Sequence, residues 1–241
     1  MRIALIGYGK MGQTIERIAI QRGHKIALRV STANKHEMTP ERLKEADVAI
    51  EFTRPEAAEE NVLECLNAGI PTISGTTGWN EGLVYAEFKA IEKNTAFLQA
   101  SNFSIGVNIF FEINKMLASM MDEQADYEVG VEETHHTQKK DAPSGTAISL
   151  AEQILENLGR KKHWSKHPTD NPEALQIVSH RIENVPGTHN VKYTSAIDDI
   201  EIIHTAHNRD GFALGAVLAA EFVLGKSGVF SMKDVLKINQ L

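Results

Sequence analysis

The stretch RIALIGYGKMGQTIERIAIQRGHKIALRVS, residues 2–31, decides the fold. Its first five residues form a short apolar run that ends at a glycine, which is typical of a buried strand. Apolar side chains then recur at Ile15, Ile18 and Ala19 with helical spacing, and Gly23 ends that helix. The last eight residues are a second strand candidate. A strand, a glycine turn, a helix and a strand in this order predict a βαβ unit.

This alternation continues over about the first hundred residues. Further strand candidates are ADVAIEFT, PTISGTTG and TAFLQAS, and helical patterns beginning near Pro55 and Leu83 lie between them. Parallel strands need crossover connections of this length. We therefore predict an α/β fold with a Rossmann-type doubly wound parallel sheet in a first domain of residues 1–103.

The pattern changes after Asn102. Residues 109–123 form one amphipathic helix pattern, and residues 148–158 form another with Gly159 as the expected C-cap. Residues 176–207 alternate as in an antiparallel meander, and the polar segment 159–175 is predicted to be a mobile loop. We expect residues 104–209 to form a second, α+β domain with a mixed or antiparallel sheet. An apolar helix near 212–225 predicts that residues 210–241 complete the first domain.

The composition limits the possible functions. The chain has 241 residues, of which 42% are hydrophobic and 24% charged, as in ordinary soluble globular proteins. The net charge of −7 argues against general nucleic-acid binding, and no apolar run approaches the ~20 residues that span a bilayer. The apolar N-terminal run is expected to be a strand and not a signal peptide. Cys65 is the only cysteine, which favours a packed thiol and a cytoplasmic location.

The sequence GYGKMG places Gly7, Gly9 and Gly12 in the G-x-G-x-x-G spacing directly after the first strand. In a dinucleotide site the first glycine permits a tight turn, the second lets the backbone approach the pyrophosphate, and the third allows close helix packing. The helix start then offers free N–H groups to phosphate. A tight turn without a ligand is the alternative, but the position within a βαβ unit favours dinucleotide binding.

The end of the second strand bears on the choice between NAD and NADP. An acidic residue there usually binds the ribose 2′-hydroxyl of NAD, but residues 24–36 contain no Asp or Glu. The strand end instead offers polar donors, namely Ser31, Thr32, Asn34 and Lys35. They can donate hydrogen bonds to a 2′-phosphate, so we expect NADPH to be preferred, with NADH possible. The alternative is that they form only a surface turn.

Two later strands of the same sheet also end in polar residues. Ligands of such sheets bind beyond the carboxyl ends of the strands, and a turn without a ligand is again the alternative. We expect the nicotinamide half of the cofactor to lie near Gly75, Thr76, Thr77, Ala100, Ser101, Asn102 and Phe103.

The stretch EETHHTQKKDAPSGTA, residues 132–147, leads into the strong helix pattern of the second domain. Ser144 has the N-cap position, and the amides of Gly145 and Thr146 lie in the first turn. A helix start of this kind binds carboxylate or phosphate, and Lys139 adds a positive charge. The pattern predicts a site for a small acidic substrate, against the alternative of a solvated basic loop.

The two histidines of this stretch suggest acid catalysis. Either His135 or His136 can deliver a proton near neutral pH. A zinc site is disfavoured because adjacent side chains diverge and Lys139 and Lys140 would repel a cation, so no metal is expected. A serine nucleophile is also disfavoured, because Ser144 lacks the G-x-S-x-G elbow.

The same stretch resembles the E-x-x-H-x-x-x-K-x-D-x-P-S-G-T-A pattern of the 4-hydroxy-tetrahydrodipicolinate reductase (dihydrodipicolinate reductase) family. Glu132, His135, Lys139 and Asp141 take the fixed positions. The segments GTTG, NFSIGVN, NRDGFALGAV and a GTH turn at 187–189 are similar too, so the resemblance covers almost the whole chain. The sequence departs from the family in a first loop that is one residue shorter than the commoner form. The acidic ribose-binding residue is also replaced, around Ser31.

The resemblance implies NAD(P)H-dependent reduction of a small cyclic dicarboxylate, 4-hydroxy-tetrahydrodipicolinate, in lysine and diaminopimelate biosynthesis. It implies a homotetramer built through the second-domain sheet, and a catalytic pair of His135 and Lys139. The substrate would be bound by His136, Lys139, Ser144, Gly145, Thr146 and Arg209. Tyr8, Lys10 and Met11 would join the three loop glycines in lining the cofactor.

Two other functions stay open from the sequence. One is a related small dehydrogenase that acts on an amino acid such as aspartate. The other is a regulatory protein that binds NADPH without turnover, although the intact histidine and lysine cluster argues against it.

Overall fold

The computed structural model describes residues 1–238, and the chain divides into two compact units. The first unit comprises Met1–Ile105 and the described residues from Arg209 onward, and the second unit comprises Gly106–Asn208. Each unit contains one sheet. The last three residues of the C-terminal segment predicted to complete the first domain lie outside the described residues. No helix in the described part of the chain is long and apolar enough to cross a membrane.

The first unit is built on six parallel strands with helices between them. The strands are β1 (Arg2–Ile6), β2 (Lys25–Val30), β3 (Val48–Glu51), β4 (Thr72–Ser74), β5 (Ala96–Gln99) and β11 (Gly228–Phe230). The helices are α1 (Lys10–Gln21), α2 (Pro40–Leu43), α3 (Pro55–Asn67), α4 (Asn80–Glu92), α7 (Asp210–Val223) and α8 (Met232–Val235). The strand order is β11-β5-β4-β3-β1-β2, and every described pair in this sheet is parallel.

Side chains on both faces of this sheet are buried, which explains the continuous apolar runs of its strands. Ile3 and Leu5 pack in one core with side chains of α1 and α7. Ala4 and Ile6 point to the opposite face and pack in another core that includes Cys65 of α3. The predicted Rossmann-type doubly wound parallel sheet is confirmed.

The second unit contains a five-stranded mixed sheet and two long helices. Its elements are α5 (Ile105–Met120), β6 (Glu128–His135), α6 (Gly145–Asn157), β7 (His163–Ser165), β8 (Ala174–Arg181), β9 (Gly187–Thr194) and β10 (Asp199–Ala206). The strand order is β10-β9-β6-β8-β7. The pairs β6–β8 and β7–β8 are parallel, and the pairs β6–β9 and β9–β10 are antiparallel. Apolar side chains of α5 and α6 pack against one face of this sheet.

The expected antiparallel meander over 176–207 is only partly right. β9 and β10 do form an antiparallel hairpin, but β6 lies between β8 and β9, and β8 runs parallel to β6. The predicted GTH turn at 187–189 is the beginning of β9. Alternating apolar residues give the buried face of a strand but not its neighbour, so the pattern could not place β6 in this position.

The segment 159–175, predicted to be a mobile loop, contains β7 and a buried lysine. Lys161 is only 2% exposed, and its ammonium donates to the carboxylate of Glu128 and to two backbone carbonyls. The expected C-cap at Gly159 is also wrong. Leu158 is the C-cap, in an extended conformation, and the Gly159 N–H donates to Asp122 at 2.7 Å.

Candidate active site

A cleft of about 460 Å³ lies at the carboxyl ends of β1, β2 and β3 in the first unit. In the sheet, β2 lies on one side of β1, and β3, β4 and β5 follow on its other side. The direction of strand order therefore reverses between β1 and β3. Nucleotides bind at such a reversal in open α/β sheets. The lining residues are Ile6, Gly7, Tyr8, Gly9, Val30, Ser31, Thr32, Lys35, Phe52, Thr53, Arg54, Ala57, Glu60 and Asn61.

The three glycines of the first loop have distinct environments that match the dinucleotide motif. Gly7 has φ +98°, and a Cβ there would lie 2.0 Å from the carbonyl oxygen of Phe52. A Cβ on Gly12 would lie 2.2 Å from the carbonyl oxygen of Gly7, so both positions exclude side chains for steric reasons. Nothing lies within 4 Å of a Cβ on Gly9, which is the N-cap of α1. The Gly9 backbone is therefore open to the cleft, as a phosphate site requires.

The remaining residues predicted to bind cofactor lie in three places. Tyr8, Ser31, Thr32 and Lys35 line the cleft with Gly7 and Gly9. Lys10, Met11 and Gly12 form the first turn of α1. The others follow β4 or β5 and do not line the cleft: Gly75, Thr76, Thr77, Ala100, Ser101, Asn102 and Phe103. The ring of Phe103 belongs to the core, so only its backbone is available to a cofactor.

Some hydrogen-bond donors at the end of β2 already contact other residues of the protein. The Ser31 N–H and hydroxyl both donate to Oδ1 of Asn34, at 2.7 and 2.8 Å. Lys35 Nζ donates to Asn61 at 2.6 Å and to Glu64 at 3.0 Å. Thr32 is exposed. A 2′-phosphate at this end of the cleft would therefore share the Lys35 ammonium with the Glu64 carboxylate.

A buried carboxylate joins the ends of β3 and β4 beside the cleft. Glu51 is fully buried, and it accepts hydrogen bonds from the hydroxyls of Ser74 at 2.6 Å and Thr76 at 2.7 Å. It also accepts from the N–H of Thr53 at 2.9 Å, and Thr53 lines the cleft. The Thr76 hydroxyl is thus engaged inside the protein, and its neighbour Thr77 remains exposed.

In the second unit, strand alternation places two functional side chains on one face of β6. Glu133 and His135 share the buried face with Val129 and Val131. Glu132, which took the fixed acidic position in the family pattern, points to the other side and is exposed. The acidic group beside His135 is therefore Glu133.

The Glu133 carboxylate has one oxygen saturated with donors and the other beside two imidazoles. Oε1 accepts from the Ser144 N–H at 3.0 Å and the Ser179 hydroxyl at 2.8 Å, and the Arg181 guanidinium lies 3.4 Å away. Oε2 lies 3.3 Å from His135 Nδ1 and 3.7 Å from His189 Nε2. Burial alone would raise the pKa of Glu133, but interactions with His135, Ser144 and Ser179 outweigh it and hold that pKa well below its usual range.

His189 is the second imidazole of the cluster and lies on β9 directly opposite Glu133. The rings of His135 and His189 are 5.0 Å apart and nearly perpendicular, and His189 Nε2 is 3.2 Å from the Ser144 hydroxyl. Burial, reinforced by the nearby His135, lowers the pKa of His189 to about 4. His189 is therefore neutral near pH 7.

The helix start beside this cluster has the predicted cap. The Ser144 hydroxyl accepts from the Ala147 N–H at 3.2 Å, which confirms Ser144 as the N-cap of α6. Since Ser144 is 3% exposed and its polar groups are engaged, the N–H groups of Gly145 and Thr146 are the ones left for a ligand. A Cβ on Gly145 would meet nothing within 4 Å, so the approach is open.

The loop between β6 and α6 is stabilised by a cation from β8. Arg181 donates to the carbonyl of Asp141 at 2.6 Å and to that of Lys139 at 3.4 Å. Lys139 Nζ donates to the Asp141 carboxylate at 2.8 Å, and this hydrogen bond lowers the pKa of Asp141. His136 is half-buried beside His135. The last residue predicted to bind substrate, Arg209, is exposed at the N-cap of α7 in the first unit.

Two models of one family match the chain. The model described as "Dihydrodipicolinate reductase, N-terminus" matches residues 1–103, and the model described as "Dihydrodipicolinate reductase, C-terminus" matches residues 106–236. This chain belongs to the dihydrodipicolinate reductase family. It is 52% identical over 237 residues to a 4-hydroxy-tetrahydrodipicolinate reductase of Christiangramia forsetii, covering 98% of both chains. A 4-hydroxy-tetrahydrodipicolinate reductase of Neisseria gonorrhoeae is 33% identical, with 93% of this chain and 84% of that one covered.

A solved structure of the family has the same fold. It is a dipicolinate-bound dihydrodipicolinate reductase from Paenisporosarcina sp. TG-14, with a TM-score of 0.79 and 21% identity, covering 96% of this chain and 97% of that one. A probable dehydrogenase from Thermotoga maritima follows with a TM-score of 0.59 and 11% identity, covering 98% and 92%. The chain is therefore an oxidoreductase of the dihydrodipicolinate reductase family with that family's two-part fold.

Sequence reasoning missed the acidic and basic groups that surround His135. The period-two alternation of β6 could have identified Glu133, because residues i and i+2 share one face of a strand. Ser179, Arg181 and His189 come from other strands, so only the strand pairing reveals them.

The side chains around His135 also bear on metal binding. Among residues 1–238, one set of three His, Cys, Asp or Glu side chains has ligand atoms close enough to hold a metal ion, and it consists of Glu133, His135 and His189. These atoms lie within 4.8 Å of one another. The expected absence of a metal, which rests on the adjacent His135 and His136, stays a prediction.

The glycine loop gives a matched pair of substitutions. Gly12→Ala should destabilise the protein by at least ~2 kcal/mol, because its Cβ would clash with backbone. Gly9→Ala should cost less than ~1 kcal/mol but weaken NADPH binding at least tenfold, because its Cβ would enter the phosphate space. Urea denaturation and fluorescence titration with NADPH measure the two effects. Unchanged NADPH affinity in Gly9→Ala would contradict the assignment of the phosphate site.

The lowered pKa of His189 predicts that the folded protein loses stability in acid. Its folded pKa of about 4 lies below the unfolded value near 6.5, so its contribution to stability is complete above pH 6.5 and is lost as the pH falls towards 4. Lowering the pH from 6.5 to 5 should cost roughly 1.5 kcal/mol through this residue. The urea midpoint of His189→Gln should therefore fall less over this range than that of the wild type, and equal falls would refute the assignment.

Proposed function

We propose that this chain reduces 4-hydroxy-tetrahydrodipicolinate to tetrahydrodipicolinate with NAD(P)H, in lysine and diaminopimelate biosynthesis. The observation that carries the proposal is 52% identity, over nearly the full chain, to a relative named for this reaction. The reaction balances when the 4-hydroxyl leaves as water together with one hydrogen of the ring, and one hydride and one proton then enter the ring.

The cleft of the first unit fits a dinucleotide. The Gly9 backbone is open to it, and α1 starts there without an acidic residue in its first turn. We assign the cofactor contacts to the predicted residues that line this cleft and to the backbone after β4 and β5. When bound, NAD(P)H supplies the hydride. The residues of the chain bind and orient it.

The cluster of the second unit supplies the other two requirements of the reaction. His135 donates the proton, because it is the imidazole paired with an ionised carboxylate, and His189 is neutral. Lys139 and the N–H groups of Gly145 and Thr146 bind one substrate carboxylate. His136 and Arg209 contact the substrate, and Ser144 supports the site as the helix cap.

The residues at the end of β2 determine which cofactor is preferred. We propose that NADPH is preferred and NADH is accepted, because no carboxylate stands at the NAD-selecting position and Thr32 and Lys35 line the cleft. The preference is modest because Lys35 also contacts Asn61 and Glu64.

Steady-state rates with the two cofactors test this preference. We expect kcat/KM to be about 3- to 30-fold higher with NADPH, equal to roughly 0.7–2 kcal/mol of binding in the transition state. Lys35→Ala should reduce the advantage, whereas Lys89→Ala, which loses an ion pair with Glu92 on α4, should leave it unchanged. A higher kcat/KM with NADH in the wild type would reverse the assignment.

We further propose a cytoplasmic homotetramer that binds neither membranes nor nucleic acid. The buried thiol of Cys65 suits a reducing compartment. Exposed apolar side chains on α5 and β10 of the second unit suit subunit contacts, and they are Ile109, Ile113, Met116, Met120, Ile200 and Ile203. Sedimentation equilibrium determines the number of subunits.

Substitutions in the second unit test the assigned roles. His135→Gln should lower kcat by ~10²–10⁴, the usual contribution of a general acid. Lys139→Ala should raise the substrate KM about 10- to 100-fold, because a charge-assisted contact to a carboxylate is lost. Lys140→Ala, an exposed neighbour, is the control and should behave as wild type. NADPH oxidation is followed by absorbance, and full activity of both site variants would overturn these roles.

A substrate panel in the same assay separates the remaining alternatives. Turnover with aspartate but not with 4-hydroxy-tetrahydrodipicolinate would identify an aspartate-type dehydrogenase. NADPH binding without oxidation of any substrate would identify a regulatory protein.

A further inference from the structure

The Glu133 carboxylate has an unusual environment that the proposed reaction does not yet use. It is 1% exposed, and it lies between β8, β9 and the start of α6. An ionised carboxylate in such a place needs both hydrogen-bond donors and a positive charge. The donors gather on one oxygen, and the imidazoles face the other.

The donors on Oε1 fix the direction of the carboxylate. The Ser144 N–H belongs to the helix cap, and Ser179 stands directly opposite Glu133 on β8. With both contacts made from rigid elements, Oε2 is held towards His135 and His189. Neither Oε2 nor His135 Nδ1 has a hydrogen-bond partner among the described residues, and the two atoms face each other at 3.3 Å.

The Arg181 guanidinium lies 3.4 Å from Oε1, and only one of the two imidazoles is placed to pair with Oε2. His189 stays neutral near pH 7, because burial and the neighbouring His135 lower its pKa to about 4. Its Nε2 is 3.7 Å from Oε2, against 3.3 Å for Nδ1 of His135. The imidazole that pairs with Oε2 is therefore His135.

The other nitrogen of His135 lies beside the backbone of β9. A Cβ at Gly187 would be only 3.1 Å from His135 Nε2, so the absence of a side chain at this position leaves space next to that atom. With Nδ1 turned to Glu133, the atom with room for a ligand is Nε2.

We propose that Glu133 is a positioning residue for the proton donor: its Oε2 holds the Nδ1–H of His135, so that Nε2 delivers the proton to the substrate. This inference rests on the proposed reductase function. Carboxylate–imidazole pairs of this kind fix the tautomer and the ring orientation of a catalytic histidine. His189 packs against the His135 ring from the other strand and prevents it from turning away.

The groups that face His135 determine how activity depends on pH. Glu133 and His189 lie against the His135 ring, and the charges of His204 and Lys139 act on His189. Arg181 contacts Glu133, and Lys139 pairs with Asp141. Glu133 is the negative charge beside this ring, with Oε2 3.3 Å from Nδ1.

The test compares Glu133→Gln, Glu133→Asp and Glu132→Gln in the NADPH oxidation assay across pH 5.5–9. Glu133→Gln should lower kcat about 10- to 100-fold, with the substrate KM changed less than threefold. The pH above which kcat declines should fall by about one unit or more, because the neutral amide no longer favours the imidazolium. Glu133→Asp keeps the charge and should restore most of the pH profile. Glu132→Gln, on the exposed face of the same strand, should match the wild type.

A double-mutant cycle separates positioning from general support of the fold. If Glu133 acts through His135, adding Glu133→Gln to His135→Gln should lower kcat by less than about twofold. A purely structural role predicts reduced thermal stability, an unchanged pH profile and multiplicative losses in the double variant, and these results would overturn the proposal. If Glu133→Gln does not fold, nitrogen-15 NMR of the wild type decides, and a neutral His135 with its proton on Nε2 would overturn the proposal. An inactive wild type would instead refute the proposed function.

Discussion

The arrangement of side chains around His135 in the second unit depends on the contacts of one buried carboxylate, that of Glu133. One oxygen accepts hydrogen bonds from the N–H of the α6 cap and a hydroxyl of β8, and the other faces an imidazole of its own strand and another of β9. Removing one partner of such a group leaves a buried charge unsatisfied, which costs more than the contact itself contributes. This carboxylate therefore connects three strands and a helix start, and it lies beside His135, the proposed proton donor.

The two units solve different chemical problems with the same device, a buried carboxylate at a strand end. In the first unit Glu51 holds the ends of β3 and β4 beside the nucleotide cleft through serine and threonine hydroxyls. In the second unit Glu133 lies beside the proposed proton donor, His135, next to the start of α6. A hydrogen-bonded network thus lies beside the proposed cofactor cleft and another beside the proposed proton donor, as positioning of reactants requires.

Local sequence patterns predicted the parts of the molecule that are locally determined. The glycine loop, the parallel sheet of the first unit and the Ser144 cap depend on neighbouring residues, and the structure has all three. His189 lies 54 residues beyond His135 and reaches it only because β9 pairs with β6, which no local pattern specifies. The same cause explains the error over the meander, whereas the alternation of β6 is local and could have favoured Glu133 over Glu132. The buried Lys161 was missed because its partners come from separate segments.

The central claim is that Glu133 holds one nitrogen of His135 and leaves the other for proton transfer, while His189 stays neutral. Nitrogen-15 NMR of the histidine-labelled protein measures this directly, with His135→Gln and His189→Gln assigning the signals. We predict that Nδ1 of His135 carries a proton throughout the titration, that Nε2 gains and loses its proton, and that His189 remains neutral at pH 6. A neutral His135 with its proton on Nε2 and a bare Nδ1 would contradict the account.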